Sequence, residues 1–123
     1  MAQPATHVLG DPLVFEVLDV PIAYVPTDDL ISRIVAAALD REGLSVYMPN
    51  AHTLNLAKVD AAYGDVLRRG DIVVNDGVGV RIAARLAGVT ELDNQNGTDL
   101  FPAVLEAGAP HGLRVFWLGG VEG

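Results

Sequence analysis

Short apolar runs alternate along the chain with segments whose apolar residues recur at helical spacing. The runs predict strands within Phe15–Val25 and at Leu44–Met48, Ile72–Val74 and Arg114–Leu118. Helices are predicted from Thr27 to just before Gly43, and over Asn50–Val59, Ala61–Arg69, Gly77–Leu86 and Thr98–Glu106, with Thr27 and Thr98 as N-caps. Such alternation is typical of a parallel sheet. We therefore expect an α/β fold, a parallel-sheet Rossmann-like sandwich with helices on both faces.

Both ends of the expected domain carry features of their own. Asp19 and Pro21 interrupt the first apolar run, which predicts a short N-terminal strand pair whose second strand lies at an edge. The polar residues 1–12 are expected to form a flexible leader before an α/β domain over residues 13–123. A crossover helix normally follows a parallel strand, so we expect the fold to be incomplete after Gly119-Gly120. The alternative is an edge strand that needs no further cover.

Composition excludes several classes of function. The formal net charge is -8, and Lys58 is the only lysine, so the chain is a poor partner for nucleic acid. The absence of cysteine excludes disulfides and thiolate chemistry. The histidines lie far apart and show no ligand spacing, so a histidine metal site is not expected. We also expect no cofactor. We find no signal peptide and no apolar run of the roughly 20 residues that span a bilayer, which favours the cytoplasm.

Polar residues follow three of the predicted strands. Ligands of open parallel sheets bind beyond the carboxyl ends of the strands. Asn50 and His52 follow the Leu44–Met48 strand, Asp76 follows Ile72–Val74, and Gly119-Gly120 follows Arg114–Leu118. If these strands are neighbours, the three loops converge at one edge and form a candidate site.

Asp76 is the sharpest candidate for chemistry. A carboxylate at a strand end can remove a proton from a hydroxyl nucleophile if it faces the crevice. The alternative is structural, since Asp76 could instead cap the helix that starts at Gly77. The two interpretations are compatible, and on local pattern alone the cap is favoured.

The glycine motifs also allow two interpretations each. Gly77-Val78-Gly79 resembles the start of a dinucleotide fingerprint, but Ile82 stands where the third glycine would be, so a dinucleotide oxidoreductase is the least favoured function. Close backbone approach at a tight strand-to-helix turn is the preferred explanation. Gly119-Gly120 either brings backbone N–H groups to a diphosphate or forms an ordinary turn.

The remaining polar candidates have structural alternatives. Asn50 is either a helix cap or a partner for sugar hydroxyls, and His52 is best explained as a surface residue. The amide-rich stretch 91–97 either binds sugar hydroxyls or forms a solvated turn. Trp117 lies in an apolar run and is predicted to belong to the core.

Taken in order, five blocks of the sequence resemble the WecG/TagA/CpsF family, glycosyltransferase family 26. The blocks are Asn50 with the helix behind it, then residues 70–80, 83–88, 97–100 and 115–120. They follow the family's order and approximate spacing, and together they cover roughly residues 15–123. Each block alone is weak, but the set is specific.

The resemblance implies a cytoplasmic enzyme of cell-surface polysaccharide or teichoic acid synthesis, peripheral at the inner membrane face. Such enzymes transfer a sugar, often of the N-acetylmannosamine type, from a UDP-sugar to a polyprenyl-diphosphate-linked acceptor, with inversion and without a metal. By position, Asp76 matches the proposed base. The residues that correspond to the sugar pocket and its flanks are Met48, Asn50, Gly77, Asn94, Gly97, Thr98 and Asp99, and Gly119 with Gly120 is the nucleotide-binding candidate.

Two of these positions depart from the family pattern. Met48 stands where threonine is common, and Asn94 stands where arginine is common. Asparagine cannot neutralise a diphosphate as arginine does. The alternative function is therefore an inactive remnant that binds nucleotide-sugar weakly or acts as an interaction module. The residues leave the oligomeric state open, with a homo-oligomer as one alternative.

Overall fold

The structure is a computed structural model, and it describes residues 13–89 and 92–122. The predicted leader over residues 1–12 lies outside the described residues. In chain order the elements are β1 (Leu13–Val17), β2 (Val20–Tyr24), α1 (Thr27–Asp40), β3 (Val46–Tyr47), α2 (Ala51–Val59), α3 (Ala61–Arg68), β4 (Ile72–Val73), α4 (Val78–Leu86), α5 (Gly97–Gly108) and a 3₁₀ turn (Ala109–His111). Helix and strand therefore alternate much as the apolar pattern predicts.

The N-terminal strand pair is an antiparallel hairpin. Phe15 pairs with Ile22, and the turn residues Leu18 and Asp19 have positive φ angles of 49° and 65°. Two successive left-handed residues make the turn whose twist matches that of a two-residue hairpin. β2 pairs with β1 alone in the described sheet, which places Pro21 on an edge strand as predicted.

β3 and β4 form a parallel pair in which Val46 lies opposite Ile72. Backbone hydrogen bonds extend the pairing beyond the strands, from Ile72 N to Ser45 O at 3.1 Å and from Val74 N to Tyr47 O at 2.8 Å. The parallel arrangement is therefore confirmed. The described sheet has only these two strands, so a full Rossmann-like sandwich is not established.

The core lies on both faces of the β3–β4 pair, because successive strand side chains point to opposite sides. Val73 packs in one cluster with residues from α2, α3 and α4, including Leu54, Leu67 and Val80. Ile72 and Val74 pack in a second cluster with Leu30 of α1 and Leu100 of α5. The prediction of helices on both faces therefore holds for this strand pair.

The prediction of a last strand at Arg114–Leu118 was wrong. Residues 113–122 form no helix or strand, and the side chains of Val115, Phe116, Trp117 and Leu118 are 49%, 87%, 71% and 93% exposed. An apolar run becomes a strand only where a neighbouring edge pairs its backbone groups. Among the described residues, no strand pairs with this run.

Three predicted helix ends also differ from the structure. The N-cap position of α1 is Pro26, and Thr27 instead donates its N–H and hydroxyl to Asp93. The left-handed residue that ends α1 is Arg41, not Gly43. Asn96, not Thr98, caps α5 by accepting the Asp99 N–H. At the start of α1 the distant Asp93 accepts the backbone N–H of Thr27, and at the other two ends a residue close to the expected one takes its place. Each helix is therefore present with a shifted boundary.

Candidate functional site

The loops that follow β3 and β4 lie side by side, as their parallel pairing requires. Asp76 N donates to Pro49 O at 3.4 Å, which joins the two loops beyond the last paired residues. Asp76 is half-buried, and Pro49 leads directly into Asn50 at the start of α2. The predicted convergence of the Asn50 and Asp76 loops is therefore present in the structure.

The cap interpretation of Asp76 was wrong. Gly77 itself occupies the N-cap position of α4, and no side chain makes a capping hydrogen bond there. Among the residues that the structure describes, none forms a hydrogen bond with the Asp76 carboxylate. The side chain is therefore not committed to the helix that follows it.

Both glycines after Asp76 are required by the backbone geometry. Gly77 has φ of +107°, a conformation that residues with a Cβ rarely adopt. A Cβ at Gly79 would lie 2.8 Å from the Cβ of Ala51. These positions confirm the interpretation of the motif as a tight strand-to-helix turn with close backbone approach.

Asn50 is a helix cap. Its Oδ1 accepts the Thr53 N–H at 3.0 Å, and Thr53 Oγ1 accepts the Asn50 N–H at 2.9 Å, so the two residues form a reciprocal capping box. The Asn50 side chain is nevertheless exposed, so capping and contact with a ligand remain compatible.

Met48 and the start of α5 are brought together. A Cβ built on Gly97 would lie 3.8 Å from Met48 Cε, so the loop after β3 contacts the Gly97-Thr98-Asp99 turn. Asn96 and Asp99 exchange hydrogen bonds at this turn, from Asp99 N to Asn96 Oδ1 and from Asn96 Nδ2 to Asp99 Oδ2, each at 2.9 Å. Thr98 and Asp99 are exposed beside them.

The third predicted loop does not join this site through the sheet. Gly119 and Gly120 have φ of +112° and +110° and are exposed at the end of the unpaired C-terminal segment. Trp117 was predicted to be core but is 71% exposed, and its ring stacks at a tilt on Phe101 with centroids 4.2 Å apart. The predicted convergence rested on a strand at residues 114–118, and that strand is absent from the described residues.

Three polar residues that sequence reasoning did not single out hold the site in place. Asn75 is fully buried and donates its side-chain amide to Asp93 O at 2.9 Å. Gln95 is 1% exposed and donates its side-chain amide to Val25 O at 2.7 Å. Asp93 accepts both donors of Thr27. In the sequence, these three residues are marked only by an amide-rich stretch and a nearby buried strand. That pattern does not distinguish a solvated loop from a buried hydrogen-bond network.

A carboxylate also ties the opposite end of the β3–β4 pair. Asp71 Oδ2 accepts the Ser45 N–H and the Ser45 hydroxyl, each at 2.8 Å. These hydrogen bonds, the backbone one foremost, hold the pKa of the Asp71 carboxyl below its ordinary value of 3.8. Over residues 13–89 and 92–122, no three His, Asp or Glu side chains are grouped closely enough to hold a metal ion. In that same part of the chain, no helix has the length and hydropathy needed to cross a membrane.

Fold and site together define an α/β protein in which a half-buried carboxylate follows a parallel strand and an amide-rich segment runs beside it. The chain belongs to the glycosyl transferase WecG/TagA/CpsF family, whose family model matches residues 15–123. The resemblance inferred from the ordered sequence blocks is thereby confirmed, and the class of protein is a glycosyltransferase. No curated protein matches the chain.

Proposed function

We propose that the chain transfers a sugar of the N-acetylmannosamine type from a UDP-sugar to a polyprenyl-diphosphate-linked acceptor in cell-surface polysaccharide or teichoic acid synthesis. Membership of the glycosyltransferase family supports the reaction class. The observation that carries the proposal is the placement of Asp76, half-buried at the end of β4 beside the Asn50 loop. The enzyme would act in the cytoplasm, peripheral at the inner membrane face where the acceptor lies.

In this proposal Asp76 is the general base. Its carboxylate takes the proton of the acceptor hydroxyl as that oxygen attacks the anomeric carbon of the donor sugar. The bond between the anomeric carbon and the UDP oxygen breaks, and UDP leaves with the electron pair. Attack from the face opposite UDP inverts the anomeric centre.

The surroundings of Asp76 supply the proposed sugar pocket. Met48 and Asn50 approach from the loop after β3, and the Gly97-Thr98-Asp99 turn lies against Met48. Exposed amide, hydroxyl and carboxylate groups on these residues are suited to sugar hydroxyls. Gly119-Gly120 is the proposed contact for the nucleotide diphosphate, through the backbone N–H groups of two exposed glycines.

The test is release of UDP from UDP-N-acetylmannosamine in the presence of a polyprenyl-diphosphate-linked acceptor. We expect Asp76→Asn to lower kcat by about 10²–10⁴-fold, the usual contribution of a general base. Asp65→Asn is the matched control, because Asp65 is exposed and forms an ion pair with Arg68 on α3, away from the loops that follow β3 and β4. Undiminished turnover in the Asp76→Asn chain would exclude the role of Asp76.

The second candidate function is a non-catalytic module that binds nucleotide-sugar weakly or packs against a partner. The exposed apolar side chains of residues 115–118, with the proposed nucleotide-binding glycines just beyond them, favour it. Calorimetric titration of UDP into the chain separates the candidates. Tight, saturable binding would contradict the module, whereas binding too weak to saturate would favour it.

A further inference from the structure

Three consecutive side chains of the 92–96 segment bond to two parts of the fold, the junction of β2 with α1 and the turn after β4. Asp93 Oδ2 accepts the Thr27 N–H at 3.0 Å and the Thr27 hydroxyl at 2.8 Å, at the start of α1. Asn94 Oδ1 accepts the Gly77 N–H at 2.9 Å. Gln95 Nε2 donates to Val25 O at 2.7 Å. The segment therefore spans from α1 to the end of β4.

The same segment is also hydrogen-bonded to the residues on both sides of Asp76. Asn75 is bonded to it twice, from Asn75 Nδ2 to Asp93 O and from Gln95 N to Asn75 O, both at 2.9 Å. Gly77 is bonded to it through Asn94. Asp76 is the single residue between these two anchors, and its own N–H bonds to Pro49 O. The segment therefore holds the residues on both sides of Asp76 and restrains the direction in which its Cβ leaves the chain.

We propose that Asn94 is a positioning residue for Asp76, a role that rests on the proposed function of this site. The Gly77 N–H needs an acceptor, and the Asn94 amide oxygen supplies it while Gly77 holds a φ of +107°. Without that bond the peptide between Asp76 and Gly77 loses one of its restraints, and the Asp76 side chain is less well oriented toward the acceptor hydroxyl. A misplacement of about 1 Å is enough to cost about 10²-fold in rate.

Positioning and substrate contact predict different kinetics. A side chain that binds the sugar equally in the ground state and the transition state raises KM when it is removed and leaves kcat unchanged. A side chain that only directs the base lowers kcat and leaves KM nearly unchanged. The Asn94 oxygen is engaged by Gly77, and the proposal therefore assigns Asn94 to the second group.

The experiment compares Asn94→Ala with Asn94→Asp, which keeps an acceptor oxygen of the same reach. We measure amide hydrogen exchange at Gly77 by NMR without substrate, and kcat and KM for UDP release. In Asn94→Ala we expect Gly77 exchange to accelerate about tenfold, the effect of losing one hydrogen bond, and kcat to fall at least tenfold with KM within about twofold. Asn94→Asp should restore Gly77 protection and recover kcat relative to the alanine variant.

Asp60→Ala is the matched control. Asp60 Oδ1 accepts the Tyr63 N–H at 3.1 Å at the start of α3, the same kind of side-chain bond to a backbone N–H. It should leave Gly77 exchange and kcat unchanged. Unchanged Gly77 exchange in Asn94→Ala, or a raised KM with unchanged kcat, would overturn the proposal. Exchange is measured without substrate, so absent turnover in the wild-type chain is a separate result that overturns the proposed function.

Discussion

The end of β4 and the C-terminal segment over residues 114–122 begin from similar sequences and have opposite structures. Each contains a short apolar run with a glycine within three residues of its end, and each run predicts a buried strand. At the end of β4, Val74 is 0% exposed and its N–H is bonded to Tyr47 O. In the C-terminal segment, Leu118 is 93% exposed. Apolar composition alone therefore does not make a strand.

The difference is the presence of partners for the backbone. β4 has β3 along one edge, and the 92–96 segment bonds to Asn75 and Gly77 just beyond its end. Each bond gives a buried backbone or amide N–H group an acceptor, which lowers the cost of burying the apolar side chains beside it. For the C-terminal segment, the contact that the structure shows is the ring stack of Trp117 on Phe101.

The largest expected effect is on the free energy of unfolding when a charge is introduced into each of the two regions. Val74→Asp places an unpaired carboxylate among apolar residues and should destabilise the fold by about 3–5 kcal/mol, as an unpaired buried charge does. Because small domains are stable by about 5–15 kcal/mol, much of that margin would be lost. The urea midpoint of unfolding, followed by far-UV circular dichroism, measures the change.

Leu118→Asp is the companion variant for this measurement. The side chain is already in water, so the same substitution should change stability by less than about 0.5 kcal/mol. A loss comparable to that of Val74→Asp would show that the C-terminal segment is packed in solution, and the contrast between the regions would fail.

A smaller effect is expected from two glycines with nearly equal backbone angles. Gly77 has φ of +107° and is held by Asn94, whereas Gly119 has φ of +112° in the exposed segment. Gly77→Ala should cost about 1–3 kcal/mol, because the surrounding bonds prevent the backbone from relaxing. Gly119→Ala should cost less than about 0.5 kcal/mol, because Gly119 is exposed in a segment that forms no helix or strand. Equal costs in thermal unfolding would contradict this account.

Much of the fold could be predicted because its signals are local. Helical spacing located every helix from α1 to α5, and the apolar run at Ile72–Val74 located β4. The strand at residues 114–118 failed because pairing depends on a distant edge, which a single sequence does not contain. The predicted start of α1 was wrong for a related reason. Its start is completed by Asp93, which lies 66 residues further along the chain.

The location of the candidate site could be predicted from the sequence, but the hydrogen bonds that hold it could not. Loops after neighbouring parallel strands must meet, so the approach of the Asn50 and Asp76 loops followed from the strand order. The buried hydrogen bonds of Asn75 and Gln95 could not be predicted, because asparagine and glutamine are also common in solvated turns. The partner of Asn94 is a backbone N–H, and no side-chain pattern in the sequence records that contact.

The smallest expected effect concerns the tie at the start of the β3–β4 pair, which has no counterpart in the described C-terminal segment. The pKa of Asp71 is lowered in the folded state by the bonds from Ser45. Its contribution to stability is therefore complete above the ordinary value of 3.8 and is lost as pH falls through the lower, folded-state pKa.

Asp71→Asn should lower the Tm at pH 7 by a small amount, and the difference from wild type should vanish at acid pH. Ser45→Ala keeps the backbone donor and should show a smaller decrease of the same sign. A Tm difference that persists unchanged at pH 2 would show that the Asp71 carboxylate is not what ties these strands.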